Sequence, residues 1–161
     1  MNFTLVALNP EKGSTKAIEI TEWLWRPVRS IMAIANHLLG EKYGGLPVEY
    51  DLMEDLDYNA GDYIQEGDIC KQLAQEMKNL ANDPSILEEY GMAVEMEDGA
   101  FVFTYPVDMC VSAIEHRGTG EVISNPEDFK KEQLRSCFRV KEKDLRGIIN
   151  FFDTCGGFGM P

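Results

Sequence analysis

Carboxylates are the residues of this chain best suited to chemistry, and eight of them lie between positions 49 and 68 without a lysine or arginine. Four oxygen-bearing residues there have the spacing of ligands in a calcium-binding EF-hand loop: Asp55, Asp57, Asn59 and Glu66. The sixth position of such a loop requires glycine, but this chain has Ala60, and the glycine comes one residue late. A solvated acidic loop is therefore the favoured interpretation. A small metal-dependent (Ca²⁺ or Mg²⁺) ligand-binding protein or hydrolase is the alternative.

The same acidic segment is a candidate surface for binding a basic protein. A dense charge of one sign selects partners of the opposite sign and raises association rates. Tyrosines lie among the acids, and aromatic residues commonly anchor protein interfaces. The candidate partner-binding residues are Glu49, Tyr50, Asp51, Glu54, Asp55, Asp57, Tyr58, Asp62 and Tyr63. The segment thus predicts a non-enzymatic protein-binding domain that resembles an immunity protein or an inhibitor in its mode of action.

Positive charge is concentrated towards the other end of the chain. Between Lys130 and Arg146 lie seven of the 15 basic residues, although the whole chain has a net charge of −13. Such a net charge disfavours binding to nucleic acid because it repels the phosphates. The basic segment 130–146 can meet the acidic segment of a second copy, which predicts self-association. It can equally pair within one chain, and the sequence leaves both arrangements open.

The sequence supports no catalytic assignment and no cofactor. It contains no common nucleophile motif, no zinc-protease motif and no glycine-rich phosphate loop. The two histidines, His37 and His116, lie far apart, and we expect both to be structural. The cysteines lie at Cys70, Cys110, Cys137 and Cys155. No two of them form a Cys-x-x-Cys pair, and apolar neighbours at helical spacing predict reduced thiols that fill the core.

Length and composition predict one globular domain spanning residues 1–161. A chain of 161 residues can bury a core without disulfides or metals, and 44% hydrophobic residues is ordinary for a folded domain. The first residues lack the basic region and the apolar core of a signal peptide. No apolar run reaches the roughly 18–20 residues that a membrane span requires. We therefore expect a cytoplasmic protein that does not bind membranes.

Hydrophobic periodicity and capping residues predict an α+β fold that is mostly helical, with about five to six helices. A strand is predicted at 2–8, where β-branched and aromatic residues end at Asn9-Pro10. Helices are predicted from Pro27 to Gly40, from Gln65 to Asn82, between Asp83 and Gly91, between Pro106 and Gly118, after Pro126, and from Glu142 to Thr154. The stretch 40–64 is predicted to be irregular because glycine and proline interrupt it.

A β-hairpin is predicted at 92–105. Two alternating segments flank Asp98-Gly99, a dipeptide typical of a two-residue turn. That turn pairs Met96 with Phe101, Val94 with Phe103 and Met92 with Tyr105 on one apolar face. Sliding the register by one residue would bring Glu95 and Glu97 onto that face, so we expect a firmly set register.

Three short segments resemble a loose group of small bacterial proteins. The segments are Trp25-Arg26-Pro27 at a helix opening, Tyr58-Asn59-Ala60-Gly61-Asp62 before a helix, and the ending 151–158, Phe-Phe-Asp-Thr-Cys-Gly-Gly-Phe. Members of the group share a Trp-Arg opening, an Asn-x-Gly turn and a terminal Phe-x-x-Cys-x-Gly-Gly-Phe-like ending. The group has no known activity, so the resemblance implies a fold and structural roles for these segments. Ala60 departs from the pattern, where an acidic or polar residue is expected.

Overall fold

The computed structural model describes residues 2–56 and 63–161, although the side chains of Glu54, Asp55 and Tyr63 lie outside this description. The fold is α+β, as predicted, with 46% helix and 23% strand. The helices are α1 (Glu22–Tyr43), α2 (Tyr50–Asp55), α3 (Gly67–Asn82), α4 (Ser85–Glu89) and α5 (Glu142–Thr154). The strands are β1 (Asn2–Ala7), β2 (Ala17–Thr21), β3 (Tyr63–Ile64), β4 (Ala93–Glu97), β5 (Ala100–Thr104), β6 (Ile114–His116), β7 (Leu134–Ser136), β8 (Arg139–Lys141) and β9 (Phe158–Gly159).

The strands form three small antiparallel sheets. The first has the order β2-β1-β9-β3, so the last strand of the chain lies between β1 and β3. The second has the order β4-β5-β8, and the third consists of β6 and β7. Among the helices that the structure describes, none combines the length and the apolarity needed to cross a membrane.

The main core lies where α3 packs against both α5 and α1. Its largest fully buried side chains include Trp25, Phe103, Phe152 and Phe158. The indole Nε1 of Trp25 donates a hydrogen bond to the carbonyl of Leu56 at 2.9 Å, which satisfies its one polar atom. Burying side chains of this size stabilises the fold by about 1.5–3 kcal/mol each. The core is therefore built from the apolar stripes of the three helices together with strand residues such as Phe103 and Phe158.

A smaller apolar cluster lies beside the main core. Its buried members are Cys110, Ala113, Ile114, Leu134 and Phe138. The ring of Phe138 contacts two residues of α1, because the indole of Trp23 lies 4.9 Å away between centroids and the guanidinium of Arg26 lies 4.5 Å above the ring. The hydroxyl of Tyr105 also donates to the carbonyl of Arg26 at 2.6 Å. These contacts hold the small cluster against the N-terminal part of α1.

The elements with strong local signals agree with prediction. The N-terminal strand and the last helix are confirmed, and α5 has the predicted bounds. The hairpin is confirmed with two of its three predicted pairs, Met96 with Phe101 and Val94 with Phe103, and its ladder ends at Ala93 and Thr104. In the hairpin, Val94 and Phe103 face the main core, but Met96 is 63% and Phe101 is 40% exposed. The apolar face of the hairpin therefore extends beyond the core near the turn.

Two predicted helices are wrong. The stretch from Pro106 to Gly118 contains a 3₁₀ turn and then β6, and the stretch after Pro126 contains two 3₁₀ turns followed by β7 and β8. Short apolar runs fit helical and strand spacing almost equally well, and pairing between distant strands decides the outcome here. His116 consequently lies in a strand and not at a helix end.

The first helix and the region before it also differ from prediction. Helix α1 begins at Glu22, so Pro27 lies inside it, and it continues to Tyr43 beyond Gly40. Strand β2, which is not predicted from the sequence, precedes it, and α2 lies in the stretch predicted to be irregular. The cost of a proline in a helix is outweighed because residues on both sides of Pro27 are buried in the main core.

Candidate functional site

The described part of the acidic segment presents its carboxylates to solvent. Glu49 precedes α2, Asp51 lies in its first turn, and both are exposed. Glu66 is the residue before α3 and Asp68 lies in its first turn, and both are also exposed. Within the part of the chain that the structure describes, none of these four residues has a basic side chain at ion-pair distance. None of the four is therefore held in an ion pair within the described residues.

Of the three tyrosines in this segment, the structure describes the exposure of Tyr50. Tyr50 lies between two exposed acids, and 58% of its surface is exposed. The backbone of Tyr63 pairs with Gly159 in the first sheet. Tyr58 lies outside the described residues, together with Asp57 and Asp62. Tyr50 is thus the one predicted anchor whose exposure the structure describes.

Most of the predicted metal ligands lie outside the residues that the structure describes. Asp57 and Asn59 are not among the described residues, and neither is the side chain of Asp55. Glu66 is described, and its carboxylate is exposed beside the start of α3. Within the described ranges 2–56 and 63–161, no group of three or more potential ligands could hold a metal ion. The metal-dependent alternative therefore stays a prediction.

The basic segment 130–146 pairs mainly with acids of its own neighbourhood. The guanidinium of Arg135 lies 3.1 Å from Glu97, and that of Arg146 lies 2.8 Å from Glu142. The ammonium of Lys131 lies 3.6 Å from Asp108. Much of the positive charge that the sequence gathers here is therefore used inside the chain. In the described residues, none of these pairs reaches the acidic segment.

The centre of this pairing is a cluster of three carboxylates and three guanidinium groups, which we call the arginine cluster. Its members are Glu95, Glu97, Glu115, Arg117, Arg135 and Arg139. Glu115 and Arg135 face each other directly across β6 and β7, and their side chains meet at 2.6 Å. Arg139 also donates to Glu115. The hairpin face that holds Glu95 and Glu97 is thus covered by arginines.

Glu115 is the most buried member of the arginine cluster, with 10% of its side chain exposed. Burial alone would raise the pKa of this carboxyl, but hydrogen bonds and charge from Arg139 and Arg135 outweigh burial and hold the pKa below its usual range. The group is consequently an anion at neutral pH. A permanently ionised carboxylate of this kind is a binding or structural group and not a proton donor.

A cleft of about 450 Å³ opens beside the arginine cluster. It lies between the start of α1, the third sheet, β8 and the start of α5, and its walls include Trp23, Glu115, Val122, Arg139 and Lys141. Trp23 is 50% and Val122 is 68% exposed, so the cleft is apolar on one side and charged on the other. The cleft could not be predicted from the sequence, because its walls come from segments that are far apart in the chain.

The thiols are free and mostly buried, as predicted. Cys70, Cys110 and Cys155 have at most 4% of their surface exposed. A hydrogen bond between the thiols of Cys70 and Cys155 raises the pKa of Cys70 and lowers that of Cys155. Cys137 differs from the prediction, because it is only half buried and lies in the wall of the cleft. Burial and the neighbouring carboxylate of Glu115 raise the pKa of Cys137.

Native protein is expected to react with a thiol reagent at one cysteine per chain, Cys137. The reaction should be slow at neutral pH and accelerate above the usual thiol range, because the raised pKa of Cys137 leaves little thiolate. In denaturant all four cysteines should react. Mass spectrometry after alkylation measures this, and Cys137→Ser should abolish the native reaction. Labelling of a second cysteine in the folded protein would contradict the burial described above.

Comparison of the chain with protein-family models, with curated proteins and with solved structures found no match. The likeness of its three short segments to small bacterial proteins therefore stays a prediction.

Proposed function

We propose that this protein is a non-enzymatic cytoplasmic protein that binds a basic protein partner through the acidic segment 49–68, in the manner of an immunity protein or an inhibitor. The observation that carries the proposal is the contrast between the two charged segments. The arginines of the basic segment are largely paired within the chain, whereas the described carboxylates of the acidic segment face solvent without a cation. Uncompensated surface charge acts on other molecules, and it can raise association rates by roughly 10–1000-fold at low salt.

Tyr50 supports the same proposal. The residue is 58% exposed and has the exposed acids Glu49 and Asp51 as its neighbours in the sequence, so an exposed aromatic residue is flanked by acids. Protein interfaces commonly place an aromatic residue at the centre, where it loses water, and charged residues at the rim. Charge would then steer the partner and set its orientation, and the tyrosine would contribute to the lifetime of the complex.

Free thiols support the proposed location. The four cysteines are free thiols, and Cys70 and Cys155 are both buried in the main core. Thiols remain reduced in a reducing compartment such as the cytoplasm, and in an oxidising one neighbouring thiols tend to form disulfides. The proposed partner is therefore sought among intracellular basic proteins.

Neutralising the exposed acids is expected to weaken binding to a basic protein without unfolding the chain. The variant Glu49→Gln, Asp51→Asn, Glu66→Gln, Asp68→Asn removes four charges that have no described ion pair. We expect its affinity to fall at least about tenfold, mainly through a slower association rate that depends less on salt. Surface plasmon resonance against a panel of purified basic proteins, at about 50 mM and about 300 mM salt, measures both rates.

A matched variant tests whether binding depends on the position of the acids or only on the net charge of the protein. Glu88→Gln, Glu89→Gln, Glu121→Gln, Glu127→Gln neutralises four other exposed acids and gives the same net charge. If both variants lose binding equally, net charge alone is responsible and the segment is not the interface. Binding to no member of the panel at low salt would also count against the proposal. A rise in melting temperature with millimolar Ca²⁺, Mg²⁺ or Mn²⁺, reversed by EDTA, would favour the metal-dependent alternative.

A further inference from the structure

The cleft beside the arginine cluster has a rigidly held aromatic wall. The indole of Trp23 packs on Phe138, with 4.9 Å between ring centroids, and half of its surface remains open to the cleft. Trp23 lies in the first turn of α1, so its backbone is fixed as well. Sites for small molecules combine such an apolar aromatic surface with a few polar groups in fixed positions. The volume of about 450 Å³ also lies in the range of such sites.

One polar group of the cleft is a buried carboxylate oxygen with only a weak donor. Both arginine hydrogen bonds to Glu115 end at Oε1, one from Arg135 and one from Arg139. The contact of Oε2 is the thiol of Cys137 at 3.7 Å. A thiol is a weak donor, whereas an ionised carboxylate oxygen accepts strong hydrogen bonds. Oε2 of Glu115 can therefore accept a hydrogen bond from a ligand that enters the cleft.

A second polar group is a cation without a described ion pair. Successive residues of a strand point to opposite faces, so Val140 enters the core and its neighbours Arg139 and Lys141 face the cleft. Arg139 is paired with Glu115 and Glu97. The ammonium of Lys141 has no carboxylate at ion-pair distance among the residues that the structure describes. Lys141 can therefore bind an anionic group of a ligand.

We propose that the cleft binds a zwitterionic α-amino acid with an aromatic or large aliphatic side chain. The ammonium of the ligand binds Oε2 of Glu115, its carboxylate binds Lys141, and its side chain packs on Trp23. The charge balance selects a zwitterion over other ligands. A simple carboxylate leaves Oε2 of Glu115 with only the weak thiol donor of Cys137, and a simple amine leaves Lys141 without an anion. Asp144 lines the same cleft and is exposed, so it offers a second carboxylate to the ammonium of a ligand.

Tryptophan fluorescence and calorimetry test this proposal directly. Trp25, the second of the chain's 2 tryptophans, is fully buried, so a ligand-dependent change in emission reports on Trp23. The probes are L-phenylalanine and L-leucine, with 3-phenylpropionate lacking the ammonium and phenethylamine lacking the carboxylate. We expect saturable binding of at least one amino acid with a dissociation constant of about 1 mM or below. Both truncated analogues should bind at least about tenfold more weakly, because each leaves a polar group of the cleft unpaired.

Variants of the cleft sharpen the test. Lys141→Met should weaken amino-acid binding at least about tenfold, because it removes the carboxylate partner. Lys143→Met changes an exposed lysine that does not line the cleft, and it should leave binding unchanged. Bound amino acid should also protect Cys137 from alkylation, since this thiol lies in the cleft wall. The proposal fails if neither amino acid binds at about 10 mM, if a truncated analogue binds equally well, or if the two lysine variants behave alike.

Discussion

Replacing Gly156 with alanine is expected to lower the free energy of unfolding by about 3 kcal/mol or more, from a strained backbone and an unavoidable overlap. Gly156 has a φ of +63°, a conformation that residues with a Cβ adopt at a cost. A Cβ there would lie 2.8 Å from the carbonyl carbon of Asn9 and still closer to its oxygen. The neighbour is backbone, so it cannot move aside as a flexible side chain would.

The surroundings of Gly156 explain why the overlap cannot relax. The chain after α5 runs directly against the segment after β1, where the amide of Asn9 donates to the carbonyl of Cys155 at 3.1 Å. The amide of Glu11 donates to the carbonyl of Thr154 at 2.9 Å, and the amide of Leu8 donates to Gly157 at 2.8 Å. Moving the two segments apart would weaken three backbone hydrogen bonds and the entry of β9 into the first sheet.

Gly147→Ala is the matched control for this prediction. Gly147 lies in the exposed middle of α5, and a Cβ there would meet nothing within 4 Å. Alanine is a better helix former than glycine, so this change should stabilise the protein by up to about 1 kcal/mol. Urea unfolding measures the change in the free energy of unfolding for both variants, and we expect a decrease for Gly156→Ala and an increase for Gly147→Ala. A Gly156→Ala protein as stable as the wild type would contradict the close approach described here.

Elements defined by local signals could be predicted from the sequence. The turn dipeptide Asp98-Gly99 and the alternating residues on both sides specify the hairpin and its register. The last helix carries a clear apolar stripe from Leu145 to Phe152, and Gly156 ends it. Each of these signals acts over a few residues, so no knowledge of the rest of the fold is needed.

Elements defined by distant pairing could not be predicted. The residues around Ile114 have helical spacing, but Glu115 forms a strand because Arg135 lies opposite it in β7. That pairing depends on two segments that the sequence gives no reason to place together. The positive charge of the segment 130–146 was evident from the sequence, but its internal acid partners were not.

The candidate sites also divide into one that local sequence signals reveal and one that depends on contacts between distant segments. Clustered acids at 49–68 are visible in the sequence, and the structure adds that the described ones, such as Glu49 and Asp68, face solvent. The cleft has no sequence signature, because Trp23 belongs to a helix start while Glu115 and Lys141 belong to two different sheets. Trp23 and Trp25 are two residues apart in the sequence, but only the structure shows that Trp23 is exposed and Trp25 is buried.

Replacing Glu115 with glutamine is expected to destabilise the protein by about 3 kcal/mol at neutral pH, the lower end of the cost of removing one partner from a buried ion pair. The side chain of Glu115 is 10% exposed and that of Arg135 is 14% exposed, so water cannot replace the lost charge effectively. Glu97 remains beside both arginines, which keeps the loss from being larger.

The dependence of this effect on pH follows from the direction of the pKa shift. In the folded protein the pKa of Glu115 lies below its ordinary value of 4.5, because Arg139 and Arg135 outweigh the effect of burial. Its contribution to stability is therefore fully present above about pH 4.5 and decreases as the pH falls through the folded pKa. The stability difference between wild type and Glu115→Gln should accordingly be largest at neutral pH and shrink under acid.

Urea unfolding of wild type and Glu115→Gln between pH 7 and about pH 3 measures this dependence. Glu121→Gln, which changes an exposed acid of the neighbouring loop, should cost less than about 0.5 kcal/mol over the same range. A difference for Glu115→Gln that stays constant down to pH 3 would mean that packing, and not the charge, is what Glu115 contributes. A difference that shrinks identifies the carboxylate as the group that holds the arginines of β7 and β8 together, and so fixes one wall of the cleft.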